Sequence, residues 1–194
     1  MLQDKIAEHL RPVTTQTIGG TLGRLWRSAG HEVTELGKDG GDAADADVVL
    51  LAVPDEAVPD ALASVTGLHG KVVLDATNRV GVVEHSAPAG YPSIAEYVKA
   101  HTGGPTAKAF NLNFGNLFDQ AATASSRPNN IWVGDESARP AVERLSRDIG
   151  MEPLNGGPLE NAAIEEGFAK LLVAMVRDTG DGPLFYRFAA PENF

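Results

Sequence analysis

The 194-residue chain contains no cysteine. Disulfides, thiolate nucleophiles and cysteine-built metal centres are therefore excluded. Histidine is scarce and scattered: His9, His31, His69, His85 and His101 stand mostly beside glycine or in loops, and no two have H-x-x-x-H spacing. No metal site is expected from them. No run approaches the roughly 18–20 apolar residues of a membrane span. Met1-Leu2-Gln3-Asp4-Lys5 lacks the apolar stretch of a secretion signal. The expectation is a cytoplasmic protein with no membrane partner. Basic residues are the minority, 16 against 26 acidic, for a formal charge of −10. A field of that sign repels polyphosphate, so nucleic acid is not an expected partner. A small phosphate ligand stays compatible, because a nest of N–H groups acts locally. The chain also lacks a G-x-S-x-G hydrolase elbow and a G-x-x-x-x-G-K-[ST] phosphate loop.

What is present is alternation. Leu22, Leu25, Trp26 and Ala29 are spaced as one face of a helix that Gly30 ends. Residues 31–36 alternate like a strand, and 37–42 form a polar, glycine-rich loop. Asp47-Val48-Val49-Leu50-Leu51-Ala52-Val53 is an apolar run suited to a strand covered on both faces, stopped by Pro54. A short helix over 57–65 and a buried strand over 71–76 follow. Residues 79–91 read as a loop. Ser93, with Glu96 three residues on, caps a helix through His101. Strands are expected over 107–111 and 129–134. A helix over 136–149 turns Val142, Leu145 and Ile149 inward, and 151–154 is an edge strand because of Pro153. The longest helix spans 160–177, with Ile164, Phe168, Leu171, Leu172 and Met175 as its apolar stripe. An aromatic tail, Leu184-Phe185-Tyr186-Arg187-Phe188, packs down after it. Strands alternating with helices predict an α/β fold, a doubly wound and mostly parallel sheet.

The chain is organised around Thr14-Thr15-Gln16-Thr17-Ile18-Gly19-Gly20-Thr21-Leu22-Gly23. This is the place of the strand-to-helix turn in a dinucleotide-binding βαβ unit, normally G-x-G-x-x-G. Aligned on the third glycine, Gly19 is where helix must pack closely on strand. Thr14 and Gln16 replace the first two, the positions of the tight turn and of the phosphate approach. The preceding Arg11-Pro12-Val13-Thr14-Thr15 is a poor strand, since Pro12 cannot donate to a ladder.

Ligands in such sheets lie beyond the carboxyl ends of the strands. The residues there are Thr14, Thr15, Gln16, Thr17 and Ile18 of the turn, Gly37-Lys38, Ala52-Val53-Pro54, Thr77-Asn78 and Phe110-Asn111. Lys38 suits the 2′-phosphate of NADP, whereas Asp39 suits the ribose hydroxyl of NAD; both stay open. Glu165-Glu166, on a helix whose other face is apolar, read as solvated. Trp26 and Trp132 read as packing. Lys170 on the long helix would serve a β-hydroxyacid-dehydrogenase-like enzyme, though no partner motif accompanies it.

Several short blocks, in order, resemble the coenzyme F420-dependent NADP oxidoreductase family. They are Ile18-Gly19-Gly20-Thr21-Leu22-Gly23, Leu51-Ala52-Val53-Pro54, Val73-Leu74-Asp75-Ala76-Thr77-Asn78, Lys108-Ala109-Phe110-Asn111 and Gly157-Pro158-Leu159. The resemblance implies a Rossmann-like domain over residues 1–155 with an atypical first strand, and a small C-terminal helix and tail over 156–194 packed on it. It implies NADP(H) over the first turn, beside Lys38, Ala52, Val53 and Pro54. It implies direct hydride transfer to a small-molecule acceptor, the deazaflavin coenzyme F420 or another. Asn78 and the Ala109–Asn111 segment would orient the nicotinamide or acceptor. Family members carry glycine where this chain has Thr14 and Gln16. The alternative is a degenerate Rossmann-like binding or interaction module. The apolar stripe of the last helix serves either a homodimer interface or the chain's own core.

Overall fold

The computed structural model describes residues 18–79, 90–180 and 182–193. The expected first strand, Thr14 to Thr17 of the turn and most of the 79–91 loop lie outside the described residues.

Five strands form the main sheet: β2 (Val48–Leu51), β4 (Val72–Asp75), β5 (Thr106–Ala109), β6 (Asn129–Gly134) and β7 (Glu152–Asn155), adjacent in that order. All neighbours run parallel except β5 and β6, which are antiparallel. β7 is the edge strand that Pro153 predicted. A separate two-residue ladder joins β1 (Gly41–Asp42) to β3 (Val65–Thr66).

One face of the sheet is covered by α1 (Ile18–Ser28), the one-turn α4 (Phe118–Ala121) and α5 (Arg139–Asp148). There Leu22 and Trp26 of α1 meet Leu74, Ala76, Ala107, Ala109, Trp132 and Val142 in one buried cluster. Trp26 sets its ring edge against Phe110 at 5.5 Å and donates Nε1–H to the Leu145 carbonyl at 3.0 Å. Both tryptophans are core residues, as expected. The other face is covered by α2 (Val58–Ser64), α3 (Ile94–Thr102) and α6 (Ala162–Thr179), with Val73, Val58, Ile94 and Val98 packed together.

The helix ends follow local chemistry. Gly30, at φ 94°, ends α1, and His31 N–H reaches back to the Trp26 carbonyl at 3.0 Å. Ser93 accepts the Glu96 N–H at 3.1 Å as the expected cap of α3. Of the tail, Phe185 and Tyr186 pack against the core, whereas Leu184 and Phe188 are exposed. The Tyr186 carbonyl takes the Asn129 N–H at 3.1 Å, and its ring stands edge-on to Phe168 at 6.1 Å.

Two expectations are corrected. Residues 31–36 form no strand. The Arg27 guanidinium donates to the Val33 carbonyl at 2.9 and 3.2 Å and pairs with the Glu35 carboxylate at 2.7 Å, so one carbonyl that would feed a ladder is bonded to a side chain instead. The inward face of α6 is also not the predicted stripe. Ile164, Leu171 and Met175 are exposed, Phe168 is half-buried, and of the five only Leu172 is buried. The buried face is Ala162, Glu165, Glu166, Ala169, Leu172 and Val176. It has the same helical period, rotated so that two glutamates point inward. The physical reason lies in what they meet.

Candidate functional site

Leu51, Asp75 and Lys108 are register partners across β2, β4 and β5. These three parallel strands therefore end in one row, and the residues after them leave on the same side. Ala52-Val53-Pro54 follow β2, Ala76-Thr77-Asn78-Arg79 follow β4, and Phe110-Asn111 follow β5. The start of α1 reaches this row. A Cβ on Gly19 would lie 3.3 Å from the Ala52 Cβ, which is the close helix–strand approach expected of the third glycine. No acidic residue lies in the first turn of α1, where the positive end of its dipole stands.

Asn78 and Asn111, predicted from different strands, touch each other. Asn111 Nδ2 donates to Asn78 Oδ1 at 3.0 Å, and Asn78 Nδ2 donates to the Asn111 carbonyl at 2.5 Å. The backbone between β5 and Asn111 is bent by Phe110, the one described non-glycine residue at positive φ, 63°. Such a conformation costs on the order of 1–3 kcal/mol and persists only where neighbours impose it. Here Asn130 Oδ1 takes the Phe110 N–H at 3.0 Å, and the ring is fully buried.

The remaining predicted residues are placed as follows. Ile18 opens α1 and packs on the core cluster with Ala52. Pro54 precedes a single 3₁₀ turn, its carbonyl taking the Ala57 N–H at 2.9 Å, and Val53 packs beside Leu51. Ala109 is wholly buried, so its side chain serves the core. Lys38 is exposed on a tight turn closed by Gly40 N–H to the Gly37 carbonyl at 3.0 Å. Gly40 there stands against the Ser64 carbonyl, at the last residue of α2. Among the described residues, no hydrogen bond or ion pair joins Lys38 to Ala52, Asn78 or Asn111.

Beneath the row lies a group of charges that the sequence reading missed. Lys108 is fully buried; its Nζ donates to Asp75 Oδ2 at 2.7 Å and lies 3.0 Å from Glu166 Oε1. Asp75 Oδ1 takes the Thr77 N–H at 2.9 Å and the Thr77 hydroxyl at 2.6 Å. Glu166 Oε1 accepts the Ile94 N–H at 3.0 Å, at the start of α3. Its Oε2 lies 3.6 Å from Arg79 Nε, while the two Arg79 Nη groups donate to the Tyr91 and Pro92 carbonyls at 3.1 Å each. Burial pulls the Lys108 ammonium down, but the Asp75 and Glu166 carboxylates together outweigh it and hold the lysine charged. Glu165 is different. Burial holds its carboxyl well above the usual carboxylate range, against the pull of Lys108 and with the push of Asp75 and Glu166. Among the described residues neither of its oxygens makes a hydrogen bond.

Glu165 and Glu166 are thus buried, not solvated. α6 turns Glu166 inward because Lys108 and Arg79 need countercharge in a dry place, and Glu165, its neighbour on the helix, is buried with it. A signal was present. Asp75 and Lys108 interrupt apolar runs at matching places in adjacent strands, and a buried charge implies a partner.

A pocket of about 400 Å³ lies elsewhere, lined by Pro59, Leu62, Leu68, Tyr97 and His101 among others. It holds none of the residues at the strand ends. The polar groups converge at the row, and the candidate site is placed there.

The fold is that of a crystal structure of a candidate F420-dependent NADP-reductase from Arthrobacter sp. FB24. The two share 18% identity with a TM-score of 0.75, over 91% of this chain and 97% of that one. The hypothetical protein SMa0349 from Sinorhizobium meliloti is 25% identical with a TM-score of 0.53, over 62% of this chain and 61% of that one. No helix of the described residues is long and apolar enough to cross a membrane. The family model described as NADP oxidoreductase, coenzyme F420-dependent, matches residues 21–79, a span that takes in Lys38, Ala52, Val53, Pro54 and Asn78 and ends before Lys108. Over residues 21–79 the resemblance read from the sequence is therefore borne out, and there this chain carries the pattern of the coenzyme F420-dependent NADP oxidoreductases; the Lys108–Asn111 and Gly157–Leu159 blocks lie outside that match.

Proposed function

We propose that this protein is an NADP(H)-dependent oxidoreductase that passes a hydride between nicotinamide and a small acceptor, the deazaflavin coenzyme F420 or another. The observation that carries this reading is the convergence at one row of strand ends. The start of α1, the Ala52–Pro54 segment and the Asn78–Asn111 amide pair all lie there.

The groups present fit a dinucleotide. The positive dipole end of α1 suits its phosphates. The buried Oδ1 of Asn111, which has no hydrogen-bond partner among the described residues, is an acceptor suited to a carboxamide N–H. Lys38, solvent-exposed on a long stem, suits a 2′-phosphate. Bound NADPH would supply the hydride; the protein's part is alignment and exclusion of water, which needs no acid–base dyad at the surface. Thr14, Thr15, Gln16 and Thr17 would border the phosphates with side chains in place of glycine's bare backbone. Residues 1–155 would form the nucleotide domain, and 156–194 would close it with α6 and the tail.

The test is the fall in NADPH absorbance on adding coenzyme F420, with NADH for comparison. Turnover that prefers NADPH supports the reading. Absence of turnover together with absence of NADPH binding favours the degenerate module, which Thr14 and Gln16 would explain. The same reading includes a homodimer through the exposed Ile164, Leu171 and Met175 of α6. Light scattering of wild type and Leu171→Arg checks it: a dimer turned monomer supports the interface, and a monomeric wild type removes it.

A further inference from the structure

Resting on the proposed role of Asn78 and Asn111, we propose that Asn130 of β6 is a positioning residue: its side-chain carbonyl holds Phe110 at positive φ and so aims the Asn111 amide at Asn78.

The end of the β5–β6 ladder sets up the arrangement. Its last pair is Ala109 with Trp132. The next N–H, that of Phe110, goes to a side chain of β6 instead, Asn130 Oδ1 at 3.0 Å. Asn130 is itself held in one orientation. Its Nδ2 donates to Ser146 Oγ at 2.8 Å, and the Ser146 hydroxyl donates to the Val142 carbonyl at 2.7 Å, one turn back on α5. With its proton spent on Val142, Ser146 offers Asn130 only an acceptor. The amide nitrogen of Asn130 must therefore face α5, and its oxygen must face Phe110. Phe110, Asn130 and Ser146 are all fully buried, so a lost partner would leave a polar group unpaired.

The φ angle of Phe110 relates two fixed directions. One is the plane of its N–H, set by Asn130. The other is its Cα–Cβ bond, set by the ring, which packs against Trp26 at 5.5 Å and Phe118 at 6.4 Å. Together they hold φ at 63°, a value that a residue with a Cβ adopts only under such constraint. The chain after the Phe110 Cα follows that angle. Both bonds of the amide pair depend on it: the Asn111 carbonyl accepts from Asn78 Nδ2 at 2.5 Å, and Asn111 Nδ2 donates to Asn78 Oδ1 at 3.0 Å. With the Phe110 N–H released, φ relaxes toward negative values and Asn111 swings away from Asn78. Asn130 thus acts on the rim through Phe110, without touching a ligand itself.

The experiment compares wild type, Asn130→Ala and Ser146→Ala with a control, Val98→Ala, a truncation in the core on the other face of the sheet. It reads the side-chain amide signals of Asn78 and Asn111 by ¹⁵N NMR, assigned with Asn78→Ala, and the NADPH KM with coenzyme F420 as acceptor. Asn130→Ala should move both amide signals toward those of free asparagine and raise KM about fivefold. Ser146→Ala keeps the Asn130 carbonyl but frees its orientation, and should raise KM about twofold with a smaller displacement of the same signals. Val98→Ala should leave both readouts as in wild type, because loss of folded protein lowers the apparent kcat and not KM. Unmoved amide signals in Asn130→Ala overturn the proposal, and so does an equal change in Val98→Ala. Should Asn130→Ala fail to fold, Ser146→Ala decides alone: displaced amide signals support the proposal and unmoved ones overturn it. The amide signals require no cofactor. If they move as expected while wild type itself does not use NADPH, the positioning role stands and the oxidoreductase reading falls.

Discussion

The same two strands, β4 and β5, present opposite chemistry on their two faces. On one face Leu74, Ala76, Ala107 and Ala109 pack under α1 with Trp26 and Phe110. On the other, Asp75 and Lys108 meet Glu166 and Arg79. Apolar packing is set by volume and tolerates exchange of one hydrocarbon for another. A buried ion pair is set by identity. Its desolvation is offset only while every partner is present, and losing one strands the rest. The first face explains why a sheet forms here. The second explains why α6 lies where it does, and why the chain after β4 and β5 leaves in a fixed direction toward the candidate site.

The largest expected effect breaks this comparison most sharply. Lys108→Met keeps much of the volume but abandons two carboxylates, and should cost about 3–5 kcal/mol. Leu74→Met, on the other face of the adjacent strand, should cost less than about 1.5 kcal/mol. Urea unfolding of both variants measures the contrast; equal costs would mean that the charged face is only packing.

Restoring Thr14→Gly and Gln16→Gly together should tighten NADPH by about tenfold or more, or 1.4 kcal/mol upward. Fluorescence titration reads this, and unchanged affinity would clear the turn of blame.

The pH dependence of stability sharpens the charged side. Below the ordinary carboxylate value Glu165 is protonated in both states, and its contribution is fully present. As pH rises above that value the unfolded chain releases a proton that the folded protein keeps, because burial raises the folded value. Stability therefore falls, by about 1.4 kcal/mol per pH unit at most, until the folded carboxyl ionises too. Glu165→Gln should remove that slope in a series of urea midpoints.

The smallest effect lies at the periphery. Lys38→Ala should weaken NADPH by about fivefold, near 1 kcal/mol, and leave NADH unchanged. Equal loss for both would assign Lys38 no role at a 2′-phosphate.

How much of this was legible in the sequence depended on which force was at work. Apolar periodicity located β2, β4, β6 and α1, and capping chemistry placed the start of α3 at Ser93, because these are local properties. The Asn78–Asn111 meeting was legible in outline, since both were expected at strand ends, although their mutual hydrogen bonds are tertiary. The face of α6 was not legible. Two helical stripes compete in its sequence, and the choice was made by Lys108 and Arg79, far away in the chain. Residues 31–36 alternate like a strand, but a strand exists only through its neighbour, and Arg27 had claimed Val33. Periodicity carries no information on either point.

The most direct measurement of the central claim is calorimetric titration of NADPH into the wild-type protein and into Asn111→Ala. The account predicts one micromolar site per chain in the wild type, weakened at least tenfold when the amide at the strand end is removed. Binding that is absent up to millimolar NADPH, or that is indifferent to Asn111, would contradict it.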